Sequence, residues 1–350
     1  MFFYYSIFIL ILFLYCTNYR RNRFESYYLI FIVFYLLSFL RWKTGTDWDS
    51  YVEIFKDSKY DVNYREIGFS ALNYYVRTYT NNYTLLLFVE ATLLYLCLFK
   101  PFKYYAVNVG ITLLAFFAIN RGYIFFTRQT IAISICLLSS YFVLRGKLYW
   151  AIIIWLSSLA FHSSSLLFGL FFIVYKRRWN LSMIILLLLS SLFVSQIFFR
   201  FIGSDIIQTL EFFDRAEKYG LRGDVSTEYA SNLSHTELIL RSSASRAVII
   251  AALLYVRKKY SDDIRFNTIL NCLILSFVLF LGLSSVSMVI VRIAMYFECF
   301  EMFSYQYIYN YFSKTDKRNI VFVLLLIYLG LRLYTGLSGY YDCYVPFRFV

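Results

Sequence analysis

The chain reads as an all-α, polytopic integral membrane protein of about twelve transmembrane helices, with two longer extracytoplasmic loops. Three observations predict this. Hydrophobic residues make up 60% of the 350 and charged residues only 16%, against about 45–50% and about 25% in soluble domains. Mean hydropathy is +0.61, more apolar surface than a soluble protein of this length can hide. Basic clusters recur in every second connection between the apolar runs, as the positive-inside rule requires of a membrane protein.

In chain order, runs long enough to span at roughly 20 residues each begin near Phe2, Tyr27, Tyr83, Tyr104, Gln129, Leu148, Ser164, Leu181, Leu238, Phe266, Val286 and Asn319. The first, from Phe2 to Cys16, has no basic n-region and no small-residue cleavage site. It therefore reads as a retained helix and not a signal peptide. The basic clusters at 20–23, 100–103, 145–147, 176–178, 257–259 and 314–318 fall in alternate connections. With twelve helices all six are cytoplasmic, and both termini face outward. The long connections 41–82 and 203–237 then lie outside, where a membrane enzyme would build its site. No internal repeat and no soluble domain interrupts the pattern, so residues 1–350 read as a single transmembrane domain.

Other classes fall away on placement. The net charge of +13 comes from short clusters between apolar runs, not from one continuous basic face, so no nucleic-acid partner is expected. Cys16, Cys97, Cys136, Cys272 and Cys299 sit in or beside apolar runs, and His162 and His235 are the only histidines. No metal site and no cofactor is expected from so few ligands. Transporters built on broken helices use paired Gly and Pro interruptions, and this chain has 13 Gly and 2 Pro.

An ionisable side chain at membrane depth is costly, which makes each one a functional candidate. Arg128 and Gln129 open the fifth span at its outer end, and His162 closes the sixth at its outer end. Arg241 and Arg246 lie in the outer half of the ninth, and Arg292 in the outer half of the eleventh. The first outer loop adds Arg41, Asp47, Asp49, Tyr51 and Glu66. Structural readings compete with each. Arg128 can snorkel to headgroups, the serines after His162 can cap a hairpin, and Glu90, Glu298 and Glu301 can pair across the bundle. Asp49, Glu53 and Asp57 have the spacing of a solvated helix face.

Several arginines beneath an outward loop suit a lipid-linked pyrophosphate, because guanidinium meets phosphate bidentately and keeps its charge. Arg41, Arg128, Arg246 and Arg292 are the candidates for that role. Asp47, Glu66 and His162 are the candidates to take the proton from an attacking sugar hydroxyl. Pyrophosphate is already a good leaving group, so the chemistry requires no metal.

The residues Arg41-Trp42-Lys43-Thr44-Gly45-Thr46-Asp47 with Tyr51, then Glu66-Ile67-Gly68-Phe69, Arg128-Gln129 with Ala132, Phe161-His162-Ser163-Ser164, and Arg292 with Tyr296-Phe297 together resemble the EpsG-like branch of Wzy-type bacterial polysaccharide polymerases. The resemblance runs from about Tyr27 to Tyr311. One departure is Ile67, where such proteins often carry Pro. The resemblance implies polymerisation of undecaprenyl-pyrophosphate-linked oligosaccharide repeats on the outer face of the bacterial cytoplasmic membrane. It implies the bilayer as partner, with flippase and chain-length-regulator proteins as candidate partners. A lipid-linked oligosaccharide flippase, an O-antigen ligase and a membrane acyltransferase acting on surface glycan are the alternatives.

Overall fold

The computed structural model of the chain describes residues 1–18, 24–60, 66–201, 235–284 and 290–350. The basic cluster at 20–23, residues 203–234 of the second long connection and the expected helix start at Val286 lie outside them. The helices, in order, are α1 (Phe2–Asn18), α2 (Tyr28–Phe39), α3 (Trp48–Asp57), α4 (Ile67–Tyr79), α5 (Tyr83–Tyr105), α6 (Val109–Asn120), α7 (Arg128–Leu144) and α8 (Leu148–Ser158). They continue with α9 (Phe171–Val174), α10 (Leu181–Phe201), α11 (His235–Val256), α12 (Ile264–Leu283), α13 (Met295–Glu298), α14 (Tyr305–Phe312), α15 (Arg318–Ser338) and α16 (Tyr341–Tyr344). Among the described residues, the only β pairing is an isolated antiparallel bridge between Arg41 and Phe349.

Local chemistry explains the helix boundaries near the site. A capping box opens α7: Thr127 and Thr130 each accept from the other's backbone N–H, which satisfies two donors that the helix start would orphan. Gly146, at φ +73°, closes it. The Gly146 and Lys147 N–H groups reach back to Val143 and Phe142, the arrangement that a left-handed glycine permits. Asn82 and Asn108 cap α5 and α6 by accepting from Thr84 and Ile111.

The uniform length of roughly 20 residues that the apolar runs suggest does not hold. α5, Ile239–Tyr260, α12 and α15 are long and apolar enough to cross a membrane. Several other apolar helices are shorter: α2 and α6 have 12 residues and α8 has 11, ~18 Å of helix or less against a ~30 Å hydrocarbon core. α6 stops where Arg121, Gly122 and Tyr123 all take positive φ. A Cβ on Gly122 would meet the Phe34 ring at 2.9 Å, so the turn is tightly packed as well as left-handed. After α8 the chain runs as a 3₁₀ segment, Ser163–Leu170, into α9. From Ile290 to Phe303 it alternates between 3₁₀ and α. The long connection at 41–82 is no open loop, since it folds α3 and α4.

Two compact units make up the described chain, Met1–Gly169 with Tyr305–Val350, and Leu170–Ser304. The first is built on α5, α7 and α8, with α2 on α5 and α6 between α1 and α15. α6 is buried nearly all round, as its unbroken apolar sequence demands. Small residues bring α7 and α8 together: Ser139 donates to the Ala151 carbonyl at 2.7 Å, and Ala151 and Ser158 are fully buried. Such contacts replace the hydrophobic drive that lipid does not supply.

Helix direction sorts the first unit into two ends. Lys103, Arg145, Lys147 and Lys314–Arg318 share one end with Glu25, which accepts from Lys103 at 3.2 Å. At the other end lie α3 and α4, the start of α7, both chain ends and the Arg41 segment. There Trp42 donates to Arg348 and Val350 to Leu40, and the Tyr4 hydroxyl donates to the Tyr344 carbonyl. In the second unit, Arg257 donates to the Trp179 carbonyl at 2.5 Å, and Arg178 lies 3.6 Å from Asp262. The two basic clusters of that unit, at 176–178 and 257–259, therefore also share an end.

Candidate active site

Glu66 stands immediately before α4 and makes no capping bond to its own helix. Its carboxylate turns to two other elements. Arg128 Nη1 donates to Oε2 at 2.5 Å, and Nδ1 of His162 lies 3.3 Å from Oε1. One carboxylate thus holds the first residue of α7 and the turn after α8. Exposure rises outward, from 10% for the Glu66 side chain to 26% for His162 and 36% for Arg128. The cation is the member of the trio with most surface left for a ligand.

The backbone beneath fixes this geometry. Gly68 and Phe69 N–H both donate to the Ala160 carbonyl, at 2.7 and 3.2 Å, tying the start of α4 to the turn that carries His162. Ser164 Oγ lies 3.4 Å from His162 Nδ1. The Arg128 guanidinium lies 5.8 Å from the centre of the Phe69 ring, a cation–π contact. Arg128 also sits at the positive end of the α7 dipole, which favours an anion at the same place.

Tyr51, on α3, borders the trio. Burial pushes its phenol up to about 12, Asp47 adds to the rise, and the Arg128 side chain and backbone N–H oppose it. Arg41 is 4% exposed. Its Nη2 donates to the Phe126 carbonyl at 3.1 Å, and its guanidinium lies 4.8 Å from the Phe126 ring centre. Asp47 is half-buried at the start of α3, and no hydrogen bond or ion pair joins it to Glu66, Arg128 or His162 among the described residues.

Of the seven residues singled out from sequence, the structure brings Glu66, Arg128 and His162 into contact. Arg41 and Asp47 lie beside them without joining the ion pairs. Arg246 and Arg292 belong to the second unit. Arg246 donates to Glu298 at 2.7 Å and to the Ser242 carbonyl at 3.1 Å, with the Phe280 ring centre 4.1 Å away. Arg292 is exposed on a 3₁₀ segment. Among the described residues no group of three or more His, Cys, Asp or Glu side chains gathers as a metal would need.

The family model of the EpsG family matches residues 26–349. The chain belongs to the EpsG family. The match takes in α2 to α16, every residue of the Glu66 trio, the second compact unit and most of the first, and it sets this EpsG protein among the EpsG-like polysaccharide polymerases. No curated protein and no solved structure matches the chain.

One residue of this EpsG protein's cavity escaped sequence reading, and a second was read only as a pairing partner across the bundle. Asn73 is fully buried on α4, and Glu90, on α5, faces the same cavity as Arg41 and Arg128. The spacing of seven from Glu66 to Asn73, two helical turns, is the signal that would have found the first.

Proposed function

We propose that this EpsG protein is a membrane glycosyltransferase that extends a glycan from lipid-pyrophosphate-linked repeat units at the outer face of a bacterial cytoplasmic membrane. The acceptor sugar hydroxyl attacks the anomeric carbon of the donor glycan, the bond from that carbon to the pyrophosphate oxygen breaks, and undecaprenyl pyrophosphate leaves. The hydroxyl proton passes to the Glu66–His162 pair, with Asp47 as the alternative base. Arg128 neutralises charge that grows on the departing pyrophosphate, a contact that strengthens in the transition state and so raises turnover. Arg246 and Arg292 are assigned to lipid-phosphate binding on their place in the sequence pattern.

The observation that carries this reading is the contact of Arg128, Glu66 and His162 at the end of the first unit opposite its basic connections. An exposed guanidinium beside a carboxylate–imidazole pair is a phosphate ligand next to a base. Mass spectrometry of lipid-linked intermediates in a deletion strain tests it. Single repeats should accumulate on the lipid at the outer leaflet while long polymer disappears. Accumulation on the inner leaflet would instead mark a flippase. Normal chain length with altered attachment or decoration would mark a ligase or an acyltransferase.

A further inference from the structure

The cavity behind Arg128 holds polar atoms that the ion pairs do not use. Its enclosed space is about 10 Å³, and Arg41, Tyr51, Asn73, Tyr83, Glu90 and Arg128 are among its walls. Three of these residues bring a buried atom with no hydrogen-bond partner in the protein: Nε of Arg41, Oδ1 of Asn73 and Oε1 of Glu90. All three side chains are more than nine-tenths buried. A buried polar atom left unpaired costs about 1–3 kcal/mol, so three around one cavity point to an occupant. The donor count identifies it. Arg41 Nε offers one N–H, while Asn73 and Glu90 each offer an acceptor. Water donates twice and accepts from the third, and the enclosed space is about that of a single water molecule.

Arg41 is tied at both ends of this arrangement. Its Nη2 bonds the carbonyl of Phe126, two residues before Arg128, and the Thr127 cap that follows starts α7. Its Nη1 is packed closely enough that a Cβ on Gly45 would lie 3.3 Å away. A guanidinium this enclosed has little surface to give a pyrophosphate.

We propose that Arg41, Asn73 and Glu90 enclose a bound water and form a positioning layer that fixes the Phe126–Arg128 turn, so that Arg41 acts through the backbone it holds and not by touching the lipid pyrophosphate. This rests on the polymerase reading for its effect on turnover, though not for its effect on the backbone. Glu90 supplies one acceptor across the water from Arg41. Asn73 supplies the second acceptor, which links the layer to α4, the helix that Glu66 precedes.

The test uses the full chain in nanodiscs with a lipid-linked repeat unit as substrate, and hydrogen–deuterium exchange at residues 127–131. Asn73→Leu removes an acceptor and fills the cavity. It should lower kcat about 10- to 100-fold, as misplacement of a catalytic contact does, with KM little changed and protection at 127–131 reduced. Arg41→Lys keeps the charge, loses the bond to Phe126 and should behave the same way. Arg41→Met/Glu90→Leu removes both buried charges together, which cores often tolerate, and it should fold yet remain slow. If Arg41→Lys raises KM at unchanged kcat, Arg41 binds the pyrophosphate and the inference is overturned. Unchanged exchange at 127–131 in Asn73→Leu overturns it as well. A wild-type protein that makes no polymer defeats the polymerase reading alone, because the exchange measurement still decides the positioning.

Discussion

Nδ1 of His162 lies 3.3 Å from Oε1 of Glu66, so the imidazole turns its other nitrogen away from the carboxylate. A carboxylate beside Nδ1 favours the tautomer with the proton on that side, which makes Nε2 the acceptor nitrogen of the neutral ring. The arrangement follows the logic of a base oriented by a third group. On the polymerase reading proposed above, His162 would take the proton and Glu66 would orient it.

Substitution separates those parts. His162→Ala should lower polymer formation by about 10²-fold or more, the usual contribution of a positioned general base. Glu66→Gln keeps the shape, weakens both ion pairs, and should lower turnover while shifting its pH profile. Rates of purified variants at saturating lipid-linked substrate check both. If His162→Ala retains full turnover and Asp47→Asn does not, Asp47 is the base.

Arg128→Lys should rescue little of the activity that Arg128→Ala loses. Nη1 is committed to Glu66, and only a planar fork can hold Glu66 and a phosphate at once. Lysine keeps the charge and loses one of the two. The expected loss is a charge-assisted hydrogen bond, about 1.5–3 kcal/mol, read as about 10- to 100-fold in kcat/KM. Equal activity of the Lys and wild-type enzymes would show that charge alone matters at this position.

Much of this architecture was legible before any coordinates. Apolar runs and alternate basic clusters follow from the solvent alone, so α1, α5, α7, α10 and α15 start within a residue or two of where the runs begin. The site was legible in part: Arg128 and His162 stood out as charged groups at helix ends. Glu66 stood out as a candidate carboxylate, but its contact with them did not, because a contact between residues 62 apart in the chain leaves no periodic trace. The short α6 was hidden for a similar reason. Arg121 and Tyr123 take left-handed conformations on either side of Gly122, Arg121 against the Tyr344 ring and Tyr123 against Phe116, and neither residue type announces such a turn. Asn73 reads as an ordinary polar residue until its position inside a cavity is known.

Gly68→Ala should harm both fold and activity. A Cβ at Gly68 would lie 2.9 Å from the Ala160 Cβ and 3.0 Å from its carbonyl oxygen. That carbonyl accepts from Gly68 and Phe69, so α4 must lift off the turn that carries His162. Overpacking of this kind costs about 1–3 kcal/mol. A lower Tm in detergent together with reduced turnover is expected. Unchanged turnover would mean that the Glu66–His162 distance is not set at Ala160.

The sidedness proposed from the basic clusters has a direct check. Reporter fusions after Lys103, Arg178 and Lys259 should all report cytoplasm, since each follows a cluster on the retained side. An outward signal at any one of them breaks the alternation and with it the outward site.

The segment after α15 should prove to hold the Arg41 loop in register. Trp42 N–H donates to Arg348 at 2.8 Å, Val350 to Leu40 at 3.0 Å, and Gly45 to Cys343 at 2.9 Å. The Phe347 ring stacks on Phe3 at 4.8 Å. These contacts join the residues on either side of Arg41 to the chain end, while Arg41 itself reaches inward to Phe126. Deleting residues 345–350 removes two of the three backbone bonds and the ring contact, but no residue of the Glu66 trio. Each backbone bond contributes about 0.5–1.5 kcal/mol, too little to unfold a bundle and enough to loosen one strand of it. Faster hydrogen exchange at 40–45 is therefore expected, with the Tm little lowered and turnover reduced through Arg41. Phe347→Ala should give a milder form of the same result, since the backbone bonds remain. Unchanged exchange at 40–45 in the deletion would show that the loop keeps its place through Arg41 and Trp48 alone.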